Sequence, residues 1–238
     1  MRGGVRVQTG ICLYIVFNRG VCGGRSLCLR PAAAETSAAE DTVETLVTEG
    51  VVLRATEYKE YDRLIRIFTP GRAVLTAAVK GVRRPKAKLK FAAQPFSVNE
   101  YTLAEKNGYF TVTGCSPVRT LYEITYDPDA YAAGAVMLEA TEFGIGEIPS
   151  PHMFAFLVRA LGKLAYGDAP PYAVCVRYLT ELLRVTGYGR EYGGTVGRIA
   201  ALGLDDLAGA DAGKADIKRL ARDASDAFLH EIRSAAVL

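Results

Sequence analysis

The chain has 238 residues, half of them hydrophobic and 23% charged, with a formal net charge of +3. That composition can bury a sizeable core and excludes a disordered, collagen-like or low-complexity chain, and no apolar run approaches the ~20 residues of a membrane-spanning helix. Five irregularly spaced cysteines, an odd number, argue against a disulfide framework and suit a reducing cytoplasm.

Residues 1–45 resist a fold reading and are expected to form a poorly structured extension. They combine a basic start, the short apolar core "ICLYIVF" and an Ala-rich stretch after Pro31. A secretory signal has these parts, although Arg19 and Arg25 interrupt the route to any cleavage site. The other reading is a translated stretch upstream of the true start, with Val43 as the initiator codon.

From Leu46 the pattern is β, and residues 46–117 are read as one domain. "LVTEGVVLRA" and "RLIRIFT" form two strands, the second closed by Pro70-Gly71. "RAVLTAAVK" alternates cleanly as a third. "PFSVNEYTLAE" and "YFTVTGC" flank Asn107-Gly108, a strong hairpin signal. Five short strands with a long basic connection between the third and fourth predict a small closed barrel of the OB type.

After Pro117 the period becomes helical, and residues 118–238 are read as an α-helical domain; the whole is α+β. Asp127-Pro128 and Ser150-Pro151 are helix starts, each a cap followed by proline at the first turn. The segment from Pro170 places Val174, Tyr178, Leu182 and Val185 on one face and stops at Gly187. A final helix follows a Gly- and Asp-rich linker.

Charge is unevenly spread. Residues 46–126 hold thirteen Lys and Arg against seven acids, whereas residues 127–238 hold eleven against fifteen. Six of the eleven residues from Lys80 to Lys90 are basic and none is acidic. A dense positive run in the one basic segment points to a polyanion. Pro85 discourages a helix there, so an extended run is expected, with Lys86, Lys88 and Lys90 projecting on one side at phosphate-like spacing. The competing reading is a solvated loop that only aids solubility. Among nearby aromatics, Phe68 and Phe96 read as core, and Tyr109 as an exposed platform for a base.

Resources for catalysis are thin. The two histidines, His152 and His230, lie far apart, and no Gly-rich phosphate loop is present. The pairs Asp205-Asp206 and Asp223/Asp226 read as helix starts and solvated faces. No enzymatic activity is expected.

The stretch from Gly50 to Leu103 resembles the N-terminal domain of the RecO family of bacterial DNA repair proteins. The resemblance rests on Gly50–Leu53, Tyr58–Arg63, Phe68-Thr69, the "KGVRRPK" of Lys80–Lys86, and Gln94–Phe96. It continues weakly to about Leu238, and Ala87 stands where the family pattern has serine. The resemblance implies a cytoplasmic, nucleoid-associated recombination mediator. Such proteins bind single- and double-stranded DNA, anneal complementary strands and help RecA onto DNA coated by single-strand-binding protein. The implied partners are RecR, the acidic C-terminal tail of single-strand-binding protein and, for some members, RecF; none is a membrane. By position, Arg66, Arg72, Lys80, Arg83, Arg84, Lys86, Lys88, Lys90 and Tyr109 are the DNA-binding candidates. Many members carry a four-cysteine zinc site after the "GY" that ends the third long helix. Here "GYGREYGGTVGRIAALGLDD" contains no cysteine, so no metal and no cofactor is expected. Ile199, Leu202 and Leu204 are the expected anchors of that loop. Two other readings stay open: an RNA- or ribosome-associated OB protein, and an interaction module that docks an acidic partner.

Overall fold

Residues 50–53, "GVVL", are apolar without alternation, and the fold explains why: this stretch of the first strand is buried on both sides. In the computed structural model, which describes residues 44–238, strand β1 (Glu44–Tyr58) pairs through its first half with β4 (Ser97–Lys106). Through its second half it pairs with β2 (Asp62–Thr69). A register shift between Val52 and Arg54 marks the change, as a bulge bends a strand that must serve two neighbours. Gly50 is required there, because a Cβ would come within 2.3 Å of Ile67 Cγ2. Strand β3 (Ala73–Val79) pairs antiparallel with β2 and parallel with β5 (Tyr109–Thr120), which returns antiparallel along β4. The order β1-β2-β3-β5-β4 closes on itself, giving the five-stranded OB-type arrangement expected from the sequence.

The helical half follows: α1 (Pro128–Ile145), α2 (Pro151–Tyr166), α3 (Pro171–Val185), the short α4 (Gly194–Ala200) and α5 (Lys214–Phe228). Asp127 and Ser150 cap α1 and α2 by accepting from the backbone N–H groups of Asp129 and Met153, so both proline starts are used as read. The stripe on α3 is only partly as read. Val174, Tyr178 and Leu182 are fully buried, but Val185 is exposed, because the helix ends there and turns out to solvent. Cys175, Val176, Leu179 and Leu183 are buried as well, since α3 is the central helix and has neighbours on most sides.

Two apolar clusters hold the molecule together. The barrel interior contains Val52, Ile65, Ile67, Tyr101 and Leu103, among others. The larger cluster joins the outer side of β1 and β2 (Val51, Leu53, Phe68) to helices α1, α2 and α3. Phe68 meets Phe154 edge to face, with ring centroids 5.6 Å apart. The described residues therefore form one compact unit, and the boundary read at residue 117 falls inside β5. The readings of a leader or a misplaced start fall outside the described residues, except that β1 already includes Glu44 and Thr45. Among the described residues, no helix is long and apolar enough to cross a membrane.

Candidate nucleic-acid interface

The connection from Lys80 to Phe96 is neither extended nor loose. Backbone N–H groups of Arg84 and Ala87 donate to Gly81 and Arg84 carbonyls at 3.1 and 3.0 Å, forming successive turns, and Lys90–Ala93 is a 3₁₀ turn. The expected ladder of Lys86, Lys88 and Lys90 on an extended backbone is thus replaced by turns. Gly81, at φ 64°, and Pro85 suit turns and not a strand.

Buried apolar residues fix these turns to the barrel. Val82, Ala92 and Ala93 are buried in the barrel core, and the Tyr101 hydroxyl donates to the Ala92 carbonyl at 2.9 Å. At its start the loop is tied to the β1–β2 turn. The Gly81 N–H donates to Asp62 Oδ1 at 2.7 Å, and the Arg83 N–H to the Tyr61 carbonyl at 3.0 Å. Positive charge is therefore displayed from a built frame, so little ordering entropy remains to be lost when a ligand binds.

The nine candidates divide by environment. Lys80, Lys86, Lys88 and Lys90 are exposed, and among the described residues none of the four has a carboxylate within ion-pair distance. Arg83 reaches Glu57 at 3.2 Å, a solvent-exposed pair worth at most about 1 kcal/mol and easily exchanged for a phosphate. The Arg84 guanidinium lies 5.2 Å from the centre of the Tyr61 ring. Tyr61, Arg84 and Lys86 line one hollow, and Arg83 and Lys90 line another beside Glu57. Arg72 sits in the β2–β3 turn, at the opposite end of β3 from Lys80, and pairs with Glu105 at 3.0 Å. Tyr109, largely exposed, opens β5 beside the β4–β5 turn.

Arg66 has a separate engagement. It lies opposite Arg54 and Thr76 across the sheet, and both arginines face Glu142 of α1, at 2.8 Å from Arg54 and 3.0 Å from Arg66. The Arg66 Nε approach is not aligned as a hydrogen bond, so its contribution is Coulombic. Glu142 is only 2% exposed and serves to clamp the outer side of β1–β2 onto the helices.

Sequence reasoning did not single out Tyr61 or Asp62 as site residues, and it missed Glu142. Tyr61 carried a usable signal: an aromatic in a tight turn, flanked by Lys59, Glu60, Asp62 and Arg63, cannot be core. Glu142 carried none, because its partners come from a different part of the chain.

The segment after α3, where the family resemblance points to zinc, has a different chemistry. A cleft of about 350 Å³ opens beside Arg177, Glu181, Arg184, Arg190 and Tyr192. Glu181, 8% exposed, accepts from Arg184 at 2.6 and 3.2 Å and from Arg177 at 3.2 Å, and His152 Nε2 lies 3.1 Å away. Arg184 above all, with His152 and Arg177, holds its carboxyl down to about 2 against the opposing effect of burial. Asp223, read as solvated, is instead half-buried in α5 and paired with Arg190. Glu181 and Asp223 are thus engaged by arginines, and among the described residues no group of three His, Cys, Asp or Glu is placed to hold a metal, so these residues do not fit a zinc ion. Val196, Ile199, Leu204 and Leu207 are buried and anchor the segment, while Leu202 is half-buried and accepts from Arg177 Nε at 2.7 Å through its carbonyl.

Comparison with known proteins finds relatives of the strand region that carries this interface. Residues 43–121 match the family model described as recombination protein O N terminal. The chain is 32% identical over 147 residues to the DNA repair protein RecO of Nocardioides, covering 60% of each chain. It is 33% identical over 155 residues to that of Streptomyces coelicolor, covering 61% of this chain and 62% of that one. It is 28% identical over 144 residues to that of Acetivibrio thermocellus, covering 60% and 57%. The chain thus spans about three fifths of the length of the curated relatives it matches. Residues 43–121, which take in the described barrel and its basic connection, are thus similar to the N-terminal domain of recombination protein O.

Proposed function

We propose that this chain is a recombination mediator in DNA repair that holds DNA by its backbone. The observation that carries the proposal is the set of four lysines on a frame fixed to the barrel, without carboxylate partners among the described residues. Such cations contact phosphates regardless of sequence, and they leave base edges free. Two strands whose mutual repulsion is neutralised, with their base edges free to pair, are in the state that annealing needs. Arg83 and Arg84 extend the surface; Arg66, Arg72 and Tyr109 are its outlying members. On this reading the chain is not an enzyme and needs no cofactor. It assists RecA on DNA covered by single-strand-binding protein, with RecR, the acidic tail of that protein and RecF as partners, in the cytoplasm at the nucleoid. The relatives carry the name DNA repair protein, which supports DNA over RNA as the ligand.

The test is the rate at which two complementary oligonucleotides anneal, followed by fluorescence transfer between end labels. Acceleration by the wild-type chain, lost when Lys80, Lys86, Lys88 and Lys90 are replaced by alanine, is the expected result. No acceleration, with tight binding to ribosomal RNA instead, would favour the RNA-associated alternative.

A further inference from the structure

The β1–β2 turn and the basic loop enclose a feature that phosphate binding does not use. Tyr61, Arg84, Pro85 and Lys86 line an open hollow of about 470 Å³, within the ~300–1,000 Å³ range of small-ligand clefts. Tyr61 is 41% exposed, so part of its ring is open to a ligand. The Arg84 guanidinium lies over that ring, and Pro85 adds a second apolar wall. The Arg83 N–H to Tyr61 carbonyl bond fixes the two sides of the hollow relative to each other.

We infer that this hollow is a stacking site for one unstacked base of single-stranded DNA, with Tyr61 as the platform and Arg84 as its planar partner. The inference rests on the DNA-binding reading above and specifies which form of DNA the site selects. Charge complementarity picks the occupant. Lys86 lies at the hollow and Lys80 and Lys88 belong to the same loop, so a strand whose base enters the hollow meets cations for its flanking phosphates. Tyr61 and Pro85 offer flat apolar surfaces, which meet a base by the face that every base presents. In a duplex the bases are stacked on each other and cannot enter. The loop lysines therefore bind both forms, while Tyr61 adds affinity for the single strand alone.

Two kinds of variant test this. Tyr61→Leu should weaken binding to a single-stranded oligothymidylate by roughly 5- to 150-fold, the ratio expected for one stacked base, and leave duplex affinity unchanged. Tyr61→Phe should restore single-strand binding, and Tyr126→Leu, an exposed tyrosine far along the chain, should have no effect. The sequence contains no tryptophan, so Tyr61→Trp supplies a single indole fluorophore. Its emission should be quenched by the oligothymidylate and not by a duplex of equal charge. If the wild type binds single strands but Tyr61→Leu is neutral or weakens both forms equally, or the indole emission of the Tyr61→Trp variant responds alike to both, the stacking site is refuted and backbone binding stands. If the wild type binds no DNA, both readings fall.

Discussion

Replacing Glu181 by glutamine removes one charge and almost no volume, and its effect can be worked out from the geometry. The carboxylate is nearly buried and accepts from Arg177 and twice from Arg184, with His152 alongside. Its carboxyl is held at about 2 against an ordinary 4.5. A folded value below the unfolded one means that stability is fully present above about 4.5 and is lost as pH falls towards 2. The difference converts to about 3 kcal/mol at neutral pH; because Arg184 is largely exposed, solvent screening reduces this to about 2–3 kcal/mol. For a domain of this size that is a fall in Tm of about 4–12 °C. Melting should be followed by circular dichroism at pH 7 and at steps down to pH 2.5, for wild type and Glu181→Gln. The gap should be widest at pH 7 and close as the wild-type carboxyl becomes neutral and equivalent to the amide. A gap below 1 °C at pH 7, or one that stays constant with pH, would refute the reasoning.

Three further outcomes follow from other sites. Glu142→Ala leaves Arg54 and Arg66 facing each other without their carboxylate, and should lower the urea midpoint by the equivalent of about 3 kcal/mol, the low end for a broken buried pair because both arginines reach water. Gly50→Ala forces a methyl onto Ile67 inside the barrel and should cost about 1–3 kcal/mol in the same unfolding experiment. A structural zinc contributes on the order of 10–16 kcal/mol, so a strong chelator would unfold a chain that relied on one. Here the melting temperature should not move, and untagged protein should contain well under one zinc per chain.

The strands were legible because their alternation is local, and so were α1 and α2, whose Asp-Pro and Ser-Pro starts state their own boundaries. The OB-type barrel was legible from the strand count and the Asn107-Gly108 turn, whereas its strand order emerges only from the pairing of distant strands. What could not be read depends on contacts distant in sequence. Val82, Ala92 and Ala93 look like spacers in a basic run, yet they are buried and turn the loop into a rigid display. Arg66 reads as a free neighbour of the loop until α1 brings Glu142 to it. Val185 joins the apolar stripe only by extrapolating a period through the end of α3, where no neighbour continues. Around Glu181, Arg177 and Arg184 are legible as neighbours one turn away on the same helix, whereas His152 arrives only when α2 packs on α3.

The central claim, that the loop lysines hold the DNA backbone, is tested most directly by the salt dependence of single-strand binding. Each neutralised phosphate adds about 0.7 to the log–log slope, so replacing Lys80, Lys86, Lys88 and Lys90 by alanine should flatten it by up to about 3. Circular dichroism should stay unchanged, because the buried anchors of the loop are kept. A folded quadruple variant whose slope and affinity equal those of the wild type would contradict the account and leave the loop a solvated connection.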